Sequence, residues 1–167
     1  TVIGNLTFNG YAKGTGFDYK TMNAVVKATV QKVGLKKYEY KNIVFNANLK
    51  NGDIVSDGGI DDPNIKLHYD ATANVNGQYH SVQANLQLDT IQLKSLNLYP
   101  DTLNASFNAV LKANNLSPDS MDIYAMIDSS NLTIKDKRYA LDSIIAKVAT
   151  SNGVNNISLV SPMADIV

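Results

Sequence analysis

Residues 42–52 read NIVFNANLKNG, and this stretch decides the fold class. Ile43, Phe45, Ala47 and Leu49 alternate with Asn42, Asn46, Asn48 and Lys50. Successive side chains of a strand point to opposite faces, so a period of two marks a strand with one apolar face. Asn51-Gly52 follows at once, and both residue types tolerate the positive φ of a tight hairpin turn. A strand that runs into such a turn pairs antiparallel with the next one.

The alternation extends in both directions. Upstream, Met22, Ala24, Val26, Ala28 and Val30 alternate with Asn23, Lys27, Thr29 and Gln31, Val25 being the exception. Downstream come Ile65, Leu67, Tyr69, Ala71 and Ala73, then Val82, Ala84, Leu86 and Leu88. Leu103, Ala105, Phe107, Ala109 and Leu111 follow, then Ile123, Ala125 and Ile127, then Ile144, Ala146 and Val148. Asn76-Gly77 and Asn152-Gly153 predict further hairpins, and Asp57-Gly58-Gly59 and Asp61-Asp62-Pro63-Asn64 predict turns. Ile91, Leu93, Leu96 and Leu98 fit one side of a short helix over 91–98, ahead of Pro100. Composition agrees with strands and turns. Glu39 is the single glutamate among 15 acidic residues, and Asp favours turns where Glu favours helix interiors. The expectation from these patterns is an all-β, antiparallel fold whose strands share one apolar face.

The chain also repeats itself. At an offset of 101, Ala24 meets Ala125, Tyr38 meets Tyr139, Ile43 meets Ile144, and Asn51-Gly52 meets Asn152-Gly153. This predicts one elongated domain over 1–167, with related units at about 22–67 and 123–167 joined by 68–122. Thr1 is not a start residue, and Ala164-Asp165-Ile166-Val167 reads as a strand, so the chain is expected to be an internal fragment.

Several functions are disfavoured. Lys and Arg total 15, equal to the acidic residues, and nucleic-acid binding by phosphate neutralisation needs a basic excess. Cysteine is absent, which removes disulfides and thiolate metal sites. No run approaches the roughly 18 apolar residues of a membrane-spanning helix. His68 and His80 flank the Asn76-Gly77 turn and would approach across a hairpin, with Asp70 on the face of His68. A solvent-facing strand is the better reading of His68, which alternates with the polar neighbours Lys66 and Asp70. Asp57, Asp61, Asp62 and Asn64 supply oxygen ligands of the kind calcium takes, but in no established loop pattern, and turn capping accounts for them. No nucleophile–base pair, phosphate loop or metal motif occurs, so no enzyme, no cofactor and no metal site is expected. Tyr38 and Tyr40 are the closest same-phase tyrosine pair, thin support for a glycan platform. Asp89-Thr90-Ile91, Asp101-Thr102-Leu103, Asp119-Ser120-Met121 and Asp142-Ser143-Ile144 resemble an O-glycosylation triplet of some diderm envelope proteins. Alternation by itself leaves two readings of the apolar face: a closed sandwich core, or an open groove.

Tyr38-Glu39-Tyr40-Lys41-Asn42-Ile43, then Asn51-Gly52, then Asp61-Asp62-Pro63-Asn64-Ile65-Lys66-Leu67, resemble the repeat of the TamB translocation and assembly family. Leu86-Gln87-Leu88-Asp89, Leu93-Lys94-Ser95-Leu96-Asn97-Leu98 and Ser161 are similar to further elements of that repeat. TamB-like proteins and their AsmA-like relatives are anchored in the inner membrane and cross the periplasm, their sheet curled into a half-pipe, the β-taco. The resemblance implies a highly curved antiparallel sheet, a half-pipe or an open sandwich, in the periplasmic part of such a protein, conducting phospholipid acyl chains in support of outer-membrane biogenesis. It also implies an N-terminal inner-membrane anchor and an Omp85-type outer-membrane partner, both engaged through parts outside this sequence. On that reading Ala24, Phe45, Leu49, Leu67, Ala71, Leu86, Leu103, Phe107, Ala125, Ile144 and Val148 line the groove. The alternative is a structural or adhesive envelope β domain with a closed core and a protein or glycan partner.

Overall fold

The computed structural model describes residues 3–77, 79–117, 119–151, 153–161 and 165–166. Eleven strands follow one another: β1 (Ile3–Thr15), β2 (Asn23–Leu35), β3 (Tyr38–Lys50), β4 (Asp53–Asp62), β5 (Ile65–Asn74) and β6 (Ser81–Gln92). The remainder are β7 (Leu103–Asn115), β8 (Asp122–Ile134), β9 (Lys137–Ser151), β10 (Val154–Val160) and β11 (Asp165–Ile166). They form one sheet in sequence order from β1 to β10, with β11 beside β9. Every pairing is antiparallel. The sheet is open: β1 and β10 do not pair with each other. The all-β antiparallel expectation therefore holds. No second sheet is stacked on this one among the described residues, which leaves the closed-sandwich core without its other half. Among the described residues the buried apolar side chains are Ala47, Leu88, Leu96 and Ala113.

Where the hairpins turn, the backbone follows the dipeptides only in part. Asn51 and Gly52 take φ of 49° and 80°, both positive as a type I′ turn needs. Gly153 also has positive φ, at 74°, between the paired Ser151 and Val154, while Asn152 lies outside the described residues. Asn76-Gly77 is different. The last β5–β6 pair is Asn74↔Ser81, so the connection is wider than a two-residue turn. It is shaped by the Asn74 side chain, which accepts from the amides of Asn76 (3.1 Å) and Gly77 (3.0 Å); an Asx turn replaces the expected positive-φ pair. Ala164 and Val167 likewise fall outside the described residues, and of the terminal stretch Asp165–Ile166 forms β11.

Two further expectations need correction. Asp57-Gly58-Gly59 is no turn but the middle of β4. A Cβ on Gly58 would press into the Val44 carbonyl oxygen and come within 2.8 Å of Tyr69 Cε1, and one on Gly59 would press into the Leu67 carbonyl oxygen. Glycine is placed there because both neighbouring backbones approach closely. The short helix over 91–98 is also absent. β6 continues to Gln92, and a single turn follows. Asn97, with φ of 58°, donates to the Lys94 carbonyl at 3.0 Å, and Leu98 donates to Leu93 at 2.9 Å. That pair of bonds around a left-handed Asn is a Schellman closure, which ends the helix after its first turn. Leu96 is fully buried beneath it.

β-Bulges interrupt β2, β6 and β8 at one level, and two further register shifts lie near strand ends, between Ile3 and Leu6 of β1 and between Ala113 and Asn115 of β7. β2 carries one residue more than β1 between Val30 and Lys32, and Asn42 opposite on β3 has φ of 53°. β6 carries the extra residue between Leu88 and Thr90 against β5, and β8 carries it at Ser129, with φ of 51°. Each bulge bends its strand and adds twist. Each also shifts the alternation by one, which is why apolar Val33 and Leu35 share a side with Val30 although their parity differs.

Candidate functional site

The registers align the apolar residues into rows that cross the sheet. One row runs Ala24, Leu49, Ile54, Ala73, Val82, Ala113, Ile123, Val148, Ile157. The next runs Ala12, Val26, Ala47, Ser56, Ala71, Ala84, Leu111, Ala125, Ala146, Leu159. A third runs Ala28, Phe45, Gly58, Tyr69, Leu86, Ala109, Ile127, Ile144. A fourth joins Phe8, Val30, Ile43, Ile60, Leu67, Leu88 and Phe107. Directly paired residues lie on one face of a sheet, so these rows make one continuous apolar face. At about 4.8 Å between strands, the ten-strand row is roughly 43 Å long.

All eleven sequence-predicted positions sit on that face. Ala24, Leu49 and Val148 belong to the first row, Ala71 and Ala125 to the second, Phe45, Leu86 and Ile144 to the third, and Leu67 and Phe107 to the fourth. Leu103 stands at the β7 end, in phase with Phe107, opposite Ile134. The second row has no signature in the sequence. Six of its ten members are alanine, and it lies between rows rich in Leu, Ile, Val, Phe and Tyr. It therefore forms a low track running across the strands. Only the full set of pairings aligns these alanines, since they are scattered along the chain.

Most of the face is neither sealed nor fully exposed. Ala24, Ile43, Leu67, Ala71, Leu86, Phe107, Ala125, Ile144 and Val148 are half-buried, while Phe45 retains 41% of its accessible surface. The opposite face is polar over β2–β6. Its central row runs Lys27, Asn46, Asp57, Asp70, Asn85, with Asn46 donating to Asp57 and Asn85 donating to Asp70, each at 2.8 Å. A shallow hollow of about 420 Å³ lies on this polar side where Gly59 leaves room between Val44 and His68.

The apolar face is pinned at one end by a polar cluster. Asp62 is completely buried. Its carboxylate accepts from the Tyr38 hydroxyl, from the Lys41 amide (3.1 Å) and from the Asn64 amide (2.9 Å). Asn64 also donates its side-chain amide to the Tyr38 oxygen at 2.9 Å. The β3–β4 ladder stops at Ile43↔Ile60, so the Asp62 side chain takes over the edge of β3 where backbone pairing ends. Tyr40 packs edge-on against Tyr38, ring centroids 4.9 Å apart. Burial, then the Asp62 carboxylate, raises the pKa of Tyr38, and the same two causes raise that of Tyr40.

This cluster takes up two of the four oxygen-bearing residues weighed as cation ligands, Asp62 and Asn64. Asp62 is engaged within it, Asp61 pairs with Lys66 at 3.1 Å, and Asp57 faces Asn46, so the group does not converge. His68 pairs with Gln87, whereas His80 precedes Ser81 at the far end of the hairpin, about 20 Å away along the strand. Among the described residues no group of three potential metal ligands comes together. No helix of the described residues is long and apolar enough to cross a membrane. Comparison with family models, with curated proteins and with solved structures yields no match to this chain.

Proposed function

We propose that this chain is a segment of a TamB/AsmA-like periplasmic protein, and that its apolar face carries phospholipid acyl chains between the inner and outer membranes. The observation that carries the reading is the set of apolar rows, interrupted by Ser56 and Gly58 on β4, on a sheet with no second sheet stacked on it among the described residues. The alanine track supports it, because small side chains between larger ones leave a path perpendicular to the strands. Burying hydrocarbon releases about 0.8 kcal/mol per methylene. A sixteen-carbon chain thus gains on the order of 10 kcal/mol before ordering costs, with no polar anchor required. Similar side chains recur along each row, which keeps the affinity nearly level, as a conduit needs. The polar cluster around Asp62 supports an architectural role for the TamB-like motif, since Tyr38, Asp62 and Asn64 of that motif fasten β3 to the β4–β5 turn.

Native mass spectrometry of the chain purified from bacterial cells, with lipid extraction alongside, tests the proposal. Bound phospholipid is expected in the parent and absent in Phe107→Asp. The exposed Gln83 lies in the polar phase of β6, and Gln83→Asp should keep the lipid. A lipid-free parent, or equal lipid in both variants, contradicts the reading.

A further inference from the structure

We propose that the free edge of β1 binds a strand of β6 type, in the register by which β6 pairs with β7. Three observations converge on this edge, and they stand whether or not lipid occupies the apolar face.

The first is its chemistry. β1 runs through 13 residues with no partner on its outer side among the described residues. Lys13 is its only charged residue, and it holds no proline. Strands that stay at an edge are usually short, charged, kinked or covered. The bulge beside Phe8 is on β2, the inner strand; β1 carries its own extra residue only near its start, between Ile3 and Leu6, and is regular from Leu6 to Thr15.

The second is a coincidence of registers. Ala12 pairs with Val26, and Leu111 with Ala125; Gly14 pairs with Ala24, and Ala113 with Ile123; Leu6 pairs with Val33, and Ala105 with Leu132. In each case the second pair is the first plus 99. The bulge coincides as well, between Val30 and Val33 on β2 and at Ser129 on β8. From Leu6 to Gly14 the β1–β2 hairpin therefore repeats the register of the β7–β8 hairpin, which has a strand on its outer side where β1 has none among the described residues. That strand is β6.

The third is fit. Carrying the β6–β7 register across by 99 sets Leu88 against Phe8, Leu86 against Gly10, Ala84 against Ala12 and Val82 against Gly14. All four additions land on the apolar face, whereas a slip by one residue would put Gln83 and Gln87 there. The bulge already present in β6 then brings Ile91 opposite Leu6, as it brings Ile91 opposite Ala105. Phe8 and Leu6 are 60% and 52% exposed in the free edge, surface that the added strand covers.

The test uses the isotope-labelled 167-residue chain and an unlabelled peptide of residues 81–92, SVQANLQLDTIQ. Saturating peptide should slow hydrogen exchange of the β1 amides that face away from β2 by about tenfold or more, leaving β3–β9 unchanged. A spin label at the Leu86 position of the peptide should broaden Gly10 more than Leu6 or Gly14. The proposal is overturned if exchange in β1 does not slow, or if slowing appears at β10 instead. Equal slowing by a peptide of the same composition with its apolar residues in the opposite phase also overturns it. So does concentration-dependent slowing without peptide, which would mean that β1 pairs with a second copy of itself.

Discussion

β1–β3 and β7–β9 share their backbone registers and differ in how they are finished. Adding 99 carries Ala28↔Phe45 onto Ile127↔Ile144, Val26↔Ala47 onto Ala125↔Ala146 and Ala24↔Leu49 onto Ile123↔Val148. Beyond the bulge the two diverge. The lower edge of β3 is held by the buried Asp62 side chain, whereas that of β9 pairs with the two-residue β11 at Tyr139 and Ala140. Side-chain size differs too: Gly10 and Gly14 stand where β7 has Ala109 and Ala113. Alternation and hairpin length thus impose a common backbone on dissimilar side chains, while each end of the sheet is closed by local means. The offset also corrects the one expected from sequence. Counting 101 aligns the two Asn-Gly turns, but β9 is 15 residues long against 13 for β3, and the strands themselves align at 99. Because the error is an even number, every residue still fell on its proper face.

Substitutions can break this correspondence at chosen points. Gly58→Val should have the largest effect on stability, a loss of about 3 kcal/mol, because its Cβ meets backbone that cannot step aside. Urea denaturation measures it, and an unchanged midpoint would show that β4 can withdraw from β3 and β5. Asp62→Leu removes the acceptor for two backbone amides and the Tyr38 hydroxyl and should cost about 2 kcal/mol. The loss is local to β3 and the β4–β5 turn, so exchange of the β3 amides near Lys41 should accelerate while that of β8 and β9 stays slow.

The same cluster gives a pH dependence with a definite sign. The phenols of Tyr38 and Tyr40 titrate higher in the folded chain than in the unfolded one. Above about pH 10 the unfolded chain releases protons that the folded chain retains. Their contribution is present below that pH and is lost as pH rises through the folded-state values. The denaturation midpoint should fall as pH rises from about 9 to about 11, and Tyr38→Phe should flatten the fall. Gly10→Ala is the smallest change, and it restores the residue type of Ala109. A Cβ there would make ordinary contact, 3.5 Å from the Phe8 ring, and a gain of about 0.5–1 kcal/mol is expected from the stiffer backbone. A loss would mean that β1 and β7 are less alike than their registers.

Much of this was legible in the sequence because it depends on neighbours. Strand phase, the Asn51-Gly52 turn and the side on which each of the eleven apolar positions falls follow from alternation alone. What escaped depends on distant partners. Gly58 and Gly59 look like a turn until Val44, Leu67 and Tyr69 are seen against them. Asp62 looks like a turn residue, and its bond to Tyr38 spans 24 positions. Ile91–Leu98 has apolar residues at helical spacing, but Asn97 takes the left-handed conformation that closes the turn. The alanine track exists only once ten strands are in register.

Adjacent residues of β6 offer the most direct test of the central claim. Leu86 lies in the third apolar row, and the next residue, Gln87, is exposed in the opposite phase. A photoreactive benzophenone side chain placed at each in turn, in living bacteria, reports what touches either face of one strand. The account predicts phospholipid adducts from position 86 and few from 87. Equal adducts at both positions, or protein adducts alone at 86, would contradict it.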